Sequence, residues 1–81
     1  MPNNPILIHE IVVNGRTLRA EPPLSFVVKK DENGTEAFNL DFHITVFAGQ
    51  SLDCLRHGVQ ARMRDELAMA DRYRQRFKEV E

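Results

Sequence analysis

Only one cysteine, Cys54, occurs in the 81 residues. An internal disulfide is therefore excluded, and the fold must be held by packing, with oligomerisation as the available supplement. Charge of one sign is also missing: a net charge of −1 gives no bulk attraction to nucleic acid or to anionic membranes. No apolar run approaches the length of a membrane span, and the opening "MPNNPILIHE" has no basic n-region. These absences lead us to expect a soluble, unexported protein, and the lone thiol fits a reducing cytoplasm. There is no internal repeat, low-complexity tract, linker or glycine-rich phosphate loop. What is present is an ordinary globular balance, 42% apolar and 28% charged. A chain of this length buries only roughly 60% of its unfolded surface, too little to divide between two cores. One domain over residues 1–81 is expected.

Two hairpins can be read along the chain. The β-rich run "ILIHEIVV" meets Asn14-Gly15, where both residues tolerate positive φ. A two-residue turn there pairs Val13 with Arg16 and Glu10 with Arg19, the latter an opposite-charge cross-strand pair. That register puts Leu7, His9, Ile11, Leu18 and Ala20 on one face. Glu21-Pro22-Pro23 is expected to end the strand, because proline cannot continue a ladder. In the second hairpin, Phe38, Leu40, Phe42, Ile44 and Val46 alternate strictly with Asn39, Asp41, His43 and Thr45, as in a half-buried strand. A three-residue loop, Glu32-Asn33-Gly34 with a left-handed glycine, aligns Val28 with Phe38, Phe26 with Leu40 and Lys30 with Glu36.

A helix follows. Ser51 is a good N-cap and Asp53 suits the first turn. No glycine or proline follows Gly58, so the helix is expected to run from Leu52 nearly to the end of the sequence. Leu52, Leu55, Val59, Met63, Ala70, Tyr73, Phe77 and Val80 form its apolar stripe. Gly58 weakens the helix by roughly 1 kcal/mol relative to alanine.

The expected fold is α+β: a four-stranded antiparallel sheet of two hairpins (ββββα), with one long C-terminal helix packed on one face and overhanging it. The expected strands span about 6–13, 16–20, 24–30 and 36–48, and the helix about 52–80. The helix, on the order of 43 Å long at 1.5 Å per residue, outruns the first three strands of roughly 23 Å, and only the last strand is comparably long. Its overhang still carries Tyr73, Phe77 and Val80, which exposed would form the kind of patch that marks an interface. Arg62 and Glu66, i, i+4 beside the stripe, read equally as a solvated helix pair or as a boundary between Leu52 to Met63, packed on the chain's own sheet, and Ala70 to Val80, packed on something else.

Catalytic and metal chemistry finds little support. The three histidines are scattered, and no spacing resembles a metal site. Cys54 and His57, i, i+3 in the first turns of the helix, lack a third group to orient the histidine and any oxyanion donors. Asp41, His43 and Thr45 are triad-like in type but read as the polar side of a strand. No catalytic residue, cofactor or small-molecule substrate is therefore assigned. Six of the eight arginines lie in the helix, interleaved with Asp53, Asp65, Asp71 and Glu79, whereas a nucleic-acid helix groups its bases on one side. Arg72, Arg76 and Lys78 remain candidates for phosphate contact.

The segment "VVKKDENGTEAFNLDFHITVFAGQSLDCLRHGV", residues about 27–59, resembles the small sheet-plus-helix domain of HicB-type antitoxins. The matching pieces are the acidic-glycine turn "KDENG" and the "GQSLD" step into the helix. The family's "PDLPG"-like stretch has no counterpart, and the first hairpin is extra. The resemblance implies a non-enzymatic, often self-associating, partner-binding domain.

The functional expectation is a small non-enzymatic interaction module of a bacterial or phage regulatory or inhibitor type. It would form a homodimer, or bind a different protein, through Leu67, Ala70, Tyr73, Phe77 and Val80 of the helix. Nucleic-acid binding through the helix arginines is the alternative.

Overall fold

The computed structural model describes residues 4–69 and 71–80, and the side chains of all of these except Asp71 and Arg72. The order of elements is β1 (Ile6–Val13), β2 (Arg16–Asp31), β3 (Gly34–Asn39), β4 (Ile44–Ala48), α1 (Leu52–Met69), a 3₁₀ helix (Asp71–Arg76) and β5 (Phe77–Val80). The fold is α+β. Strands β1-β2-β3-β4 form an antiparallel sheet in that order, one helix packs against it, and a fifth strand pairs with β2.

The first turn forms as its residues dictate. Asn14 and Gly15 both sit at positive φ, 52° and 77°, and Val13 pairs with Arg16. Glu10 pairs with Arg19, and Glu10 Oε2 accepts from Arg19 Nη2 at 2.7 Å and Nε at 3.0 Å. The hydrogen bond and the charge of Glu10 hold the guanidinium above its usual range.

Beyond that pair the register slips, and the expected face of β1 is corrected. Ile8 pairs with Leu24 while Glu10 pairs with Arg19, so His9 faces four β2 residues, Ala20 to Pro23. The slip changes the side-chain phase: Ile6 and Ile8 before it, and Ile11 and Val13 after it, are buried. Leu7 and His9 point to solvent, contrary to the alternation read from Ile11 backwards.

The prolines do not end the strand. β2 continues through the cis Glu21-Pro22 bond and Pro23 to Asp31. Prolines have no N–H to offer a ladder, so they are tolerated where the β1 ladder lapses. The guanidinium of Arg76 donates to the Glu21 carbonyl at 3.2 Å and to that of Pro22 at 3.0 Å. Carbonyls at the break in the ladder thus find a partner from the far end of the described chain.

The second hairpin differs from expectation at both ends. Its turn is two residues, Glu32-Asn33, closed by Asp31 opposite Gly34, so Val28 faces Ala37 rather than Phe38. Asp31 Oδ1 accepts from the Asn33 amide at 2.8 Å, the local bond that favours aspartate before a turn. Gly34 has φ +135° and is a strand residue; a Cβ there would lie 2.5 Å from the Ala48 carbonyl oxygen. Close backbone approach is what requires this glycine.

The expected strand 36–48 is two strands joined by a turn at residues 40–43. Asn39, 1% exposed, makes that turn: its Oδ1 accepts from the Phe42 amide at 2.8 Å, and its Nδ2 donates to the Ser25 carbonyl at 3.1 Å. His43 completes it at φ 56°. Ala37, Asn39, Ile44 and Val46 consequently face the core, while Phe38 and Leu40 do not.

Ser51 caps α1, its Oγ accepting from the Cys54 amide at 3.3 Å. The buried stripe is Leu55, Val59, Met63 and Leu67. Gly58 allows a close approach to the sheet, since a Cβ there would lie 3.2 Å from Val46 Cγ1. The helix ends at Met69 and does not reach residue 80. The chain tightens into a 3₁₀ turn and then returns as β5, antiparallel to β2, with Phe77 opposite Ala20 and Val80 opposite Thr17. A straight helix would have carried Tyr73 and Phe77 past the sheet. Turning back buries both and adds a ladder to the open side of β2.

The length mismatch thereby disappears. It came from dividing β2 at its prolines and from carrying the helix on to residue 80. The helix of 18 residues, roughly 27 Å at 1.5 Å per residue, lies on a sheet whose central strand has 16 residues.

Candidate functional site

The helix covers one face of the sheet, that of Ile8, Ile11, Leu18, Leu24, Phe26, Ala37 and Ile44. Strand alternation then sends a second set of side chains to the opposite face. This outer face divides along its length. Around the first hairpin it is mixed: Glu10, Arg19 and Glu21 form a chain of ion pairs, with Lys78 in register beside Arg19, and the exposed Leu7 and Val12 stand among them. Around β3 and β4 it is apolar. Val27 stands directly opposite Phe38, and Phe38 opposite Thr45. Leu40 follows in the turn, and Phe47 lies one position along β4 on the same side.

These side chains are open to solvent: Phe47 is 74% exposed, Leu40 66% and Val27 50%. Phe38 is half-buried, its ring 6.3 Å from that of His43. A shallow depression of about 250 Å³ runs among Val27, Lys29, Glu36, Phe38 and Leu40. Lys29 and Glu36, cross-strand partners, border it. Phe47 stands opposite Glu36, diagonal to Phe38, so these residues give the outer face a run of exposed apolar side chains of the kind that commonly marks a contact surface.

The residues expected to form a contact on the helix lie elsewhere. Leu67, Tyr73 and Phe77 are 1%, 3% and 7% exposed, within the chain's own core. Tyr73 packs edge-to-face on Phe42, with centroids 5.0 Å apart. Val80 is half-buried in β5, and Ala70 is outside the described residues. The exposed apolar overhang that motivated that expectation is thus absent among the described residues. Sequence reasoning missed Phe47, although the alternation through Val46 already leaves Phe47 on the outward side. It placed Phe38 and Leu40 inside, because the turn at 40–43 is masked by Leu40 and Phe42 falling in phase with the strand.

The candidate phosphate contacts do not converge either. Arg76 is engaged with the Glu21 and Pro22 carbonyls, and Lys78 is exposed in β5. The side chain of Arg72 is outside those described. Arg74 Nε donates to the Leu67 carbonyl near the end of α1 at 3.5 Å. Arg62 pairs with Glu66 at 2.8 Å and reaches the Thr45 carbonyl at 3.5 Å, so this pair sits beside β4 rather than at a boundary between two helix halves.

Cys54 and His57 are exposed on α1, His43 is exposed in the 40–43 turn, and His9 is exposed at the register slip. Among the described residues, no three His, Cys, Asp or Glu side chains gather as a metal site. Nor, among them, is any helix long and apolar enough to cross a membrane. No family model, curated protein or solved structure matches the chain.

Proposed function

We propose that this protein is a small non-enzymatic protein-interaction module whose contact surface is the apolar half of the outer sheet face. The observation that carries this reading is the exposed cluster of Val27, Phe38, Leu40 and Phe47. Burying it against a partner removes apolar area from water, at about 25 cal/mol per Å² before the costs of association. Lys29, Glu36, His43 and Asp41 around it supply the polar rim usual in such contacts. The HicB-type resemblance of residues 27–59 supports the same class of function, because that segment includes the four apolar residues. An exposed, unpaired Cys54 fits a reducing, cytoplasmic setting, and a bacterial or phage regulatory role follows from the resemblance alone.

The test is a Leu40→Asp/Phe47→Asp double variant, compared with a Val12→Asp control at the far end of the sheet, where Val12 is exposed opposite Thr17. Both variants change exposed side chains, so far-UV circular dichroism and the melting temperature should stay near wild type. Binding of an apolar dye, together with every association of the chain measured by light scattering or affinity capture, should fall in the double variant only. Equal behaviour of the two variants would remove the reading.

A further inference from the structure

We infer that a second copy of the chain joins the first at the edge of this surface, by antiparallel pairing of β4 with β4 across a two-fold axis, so that the apolar outer face of one copy continues into that of the other. This rests on the interaction-module reading above and names the partner held at the edge of that face.

The inference begins with the sheet's edges. An edge strand presents unpaired backbone groups, and proteins guard such edges with charge, proline, bulges or brevity. β1 is broken by the slip at His9 and carries Glu10. β5 has four residues, two of them Lys78 and Glu79. β4, with the sequence Ile44-Thr45-Val46-Phe47-Ala48, has no charge, proline or bulge. The nearest guard is Arg62, whose contact with the Thr45 carbonyl is 3.5 Å long. Its side chain is 45% exposed and is held more closely by Glu66, so it can leave that carbonyl at little cost.

A strand pairing antiparallel with its own copy is self-complementary, as a two-fold contact requires. Because β4 is uncharged, self-pairing opposes no like charges. An axis at Val46 sets Thr45 opposite Phe47 of the second copy. On the outer face the row Val27–Phe38–Thr45 then continues into that Phe47. The most exposed aromatic of the patch would thus gain a lateral neighbour in each copy, once on each side of the axis. On the inner face Val46, at 9% among the least covered core residues, would meet its own counterpart.

The experiment uses the full chain in sedimentation equilibrium, with two variants that change outer-face positions, Thr45→Lys and Phe47→Glu. Wild type should dimerise, and each variant alone should dissociate about tenfold or more readily, since each sets an unpaired charge against an uncharged cross-strand neighbour twice. An equimolar mixture should regain the dimer as a heterodimer. One row then places lysine opposite glutamate, while the other keeps Thr45 opposite Phe47. A Val12→Asp control should dimerise like wild type. On the unmodified chain, amide exchange at Ile44–Ala48 should slow as concentration rises.

A wild-type monomer at high micromolar concentration overturns the second copy as occupant while leaving the apolar patch as a surface for a different protein. A dimer that neither variant weakens, or a mixture no tighter than its components, overturns the β4 pairing and leaves self-association standing. Loss of dye binding in the Leu40→Asp/Phe47→Asp variant is read separately and bears on the module reading alone.

Discussion

Replacing Phe77 with alanine tests whether the end of the chain belongs to the core. Phe77 is 7% exposed, lies opposite Ala20 and begins the only strand that pairs with the outer side of β2's first third among the described residues. A buried phenylalanine removes roughly 150–250 Å² from water, which at 25 cal/mol per Å² is about 4–6 kcal/mol as an upper bound. Phe→Ala substitutions in cores commonly cost about 3–5 kcal/mol once the cavity is included. We expect about 3 kcal/mol, because β5 has four residues and the end of the chain can relax into the space. For a domain of this size that is a large part of a total stability of roughly 4–12 kcal/mol. In urea, with an m-value of about 1 kcal/mol/M, the midpoint should fall by about 3 M or the protein should be unfolded at the outset. Lys78→Ala, exposed in the same strand, should leave the midpoint within about 0.5 kcal/mol of wild type. On an overhanging helix, Phe77→Ala would alter association and spare stability. A change in unfolding free energy below about 1 kcal/mol would refute the docked β5.

Three further outcomes follow from the same geometry. Gly34→Ala should destabilise by about 2 kcal/mol or more in thermal unfolding, since φ is +135° and the new Cβ meets the Ala48 carbonyl; Gly15→Ala, with nothing within 4 Å, should cost only about 1 kcal/mol. Leu40→Ser should change stability by less than about 0.5 kcal/mol in urea, whereas Asn39→Ala should cost about 1–3 kcal/mol by stranding the Phe42 amide and the Ser25 carbonyl. Gly58→Ala should be close to neutral in differential scanning calorimetry, the gain of about 1 kcal/mol in helix propensity being offset by crowding of Val46; in a Val46→Ala background the gain should appear.

What the amino-acid sequence determined by itself was local. Asn14-Gly15 specifies its turn because few other pairs accept two successive positive φ values, and the Glu10–Arg19 pairing follows from it. Ser51 and the stripe of Leu55, Val59 and Met63 specify a capped helix against a sheet, whereas Leu67, expected at a partner contact, joins that stripe and Leu52, expected in it, is exposed. These features rest on interactions within a few residues or on one period. Tertiary structure decided the rest, where two local rules competed or neither applied. Prolines that end most strands are kept in β2 because the β1 ladder lapses there and Arg76 reaches the freed carbonyls. Leu40 and Phe42 hold the strand's apolar phase, yet Asn39 bends the chain because its amide finds both Phe42 and Ser25. The sequence after Met69 contains no helix stop. The helix ends there because β2 offers an open side, where Phe77 is buried and β5 gains a ladder that solvent cannot match. The same choice moves the exposed apolar surface from the end of a helix to the outer face of β3 and β4. Which hydrophobic residues a small protein leaves in water depends on which edges and faces its own chain has already covered.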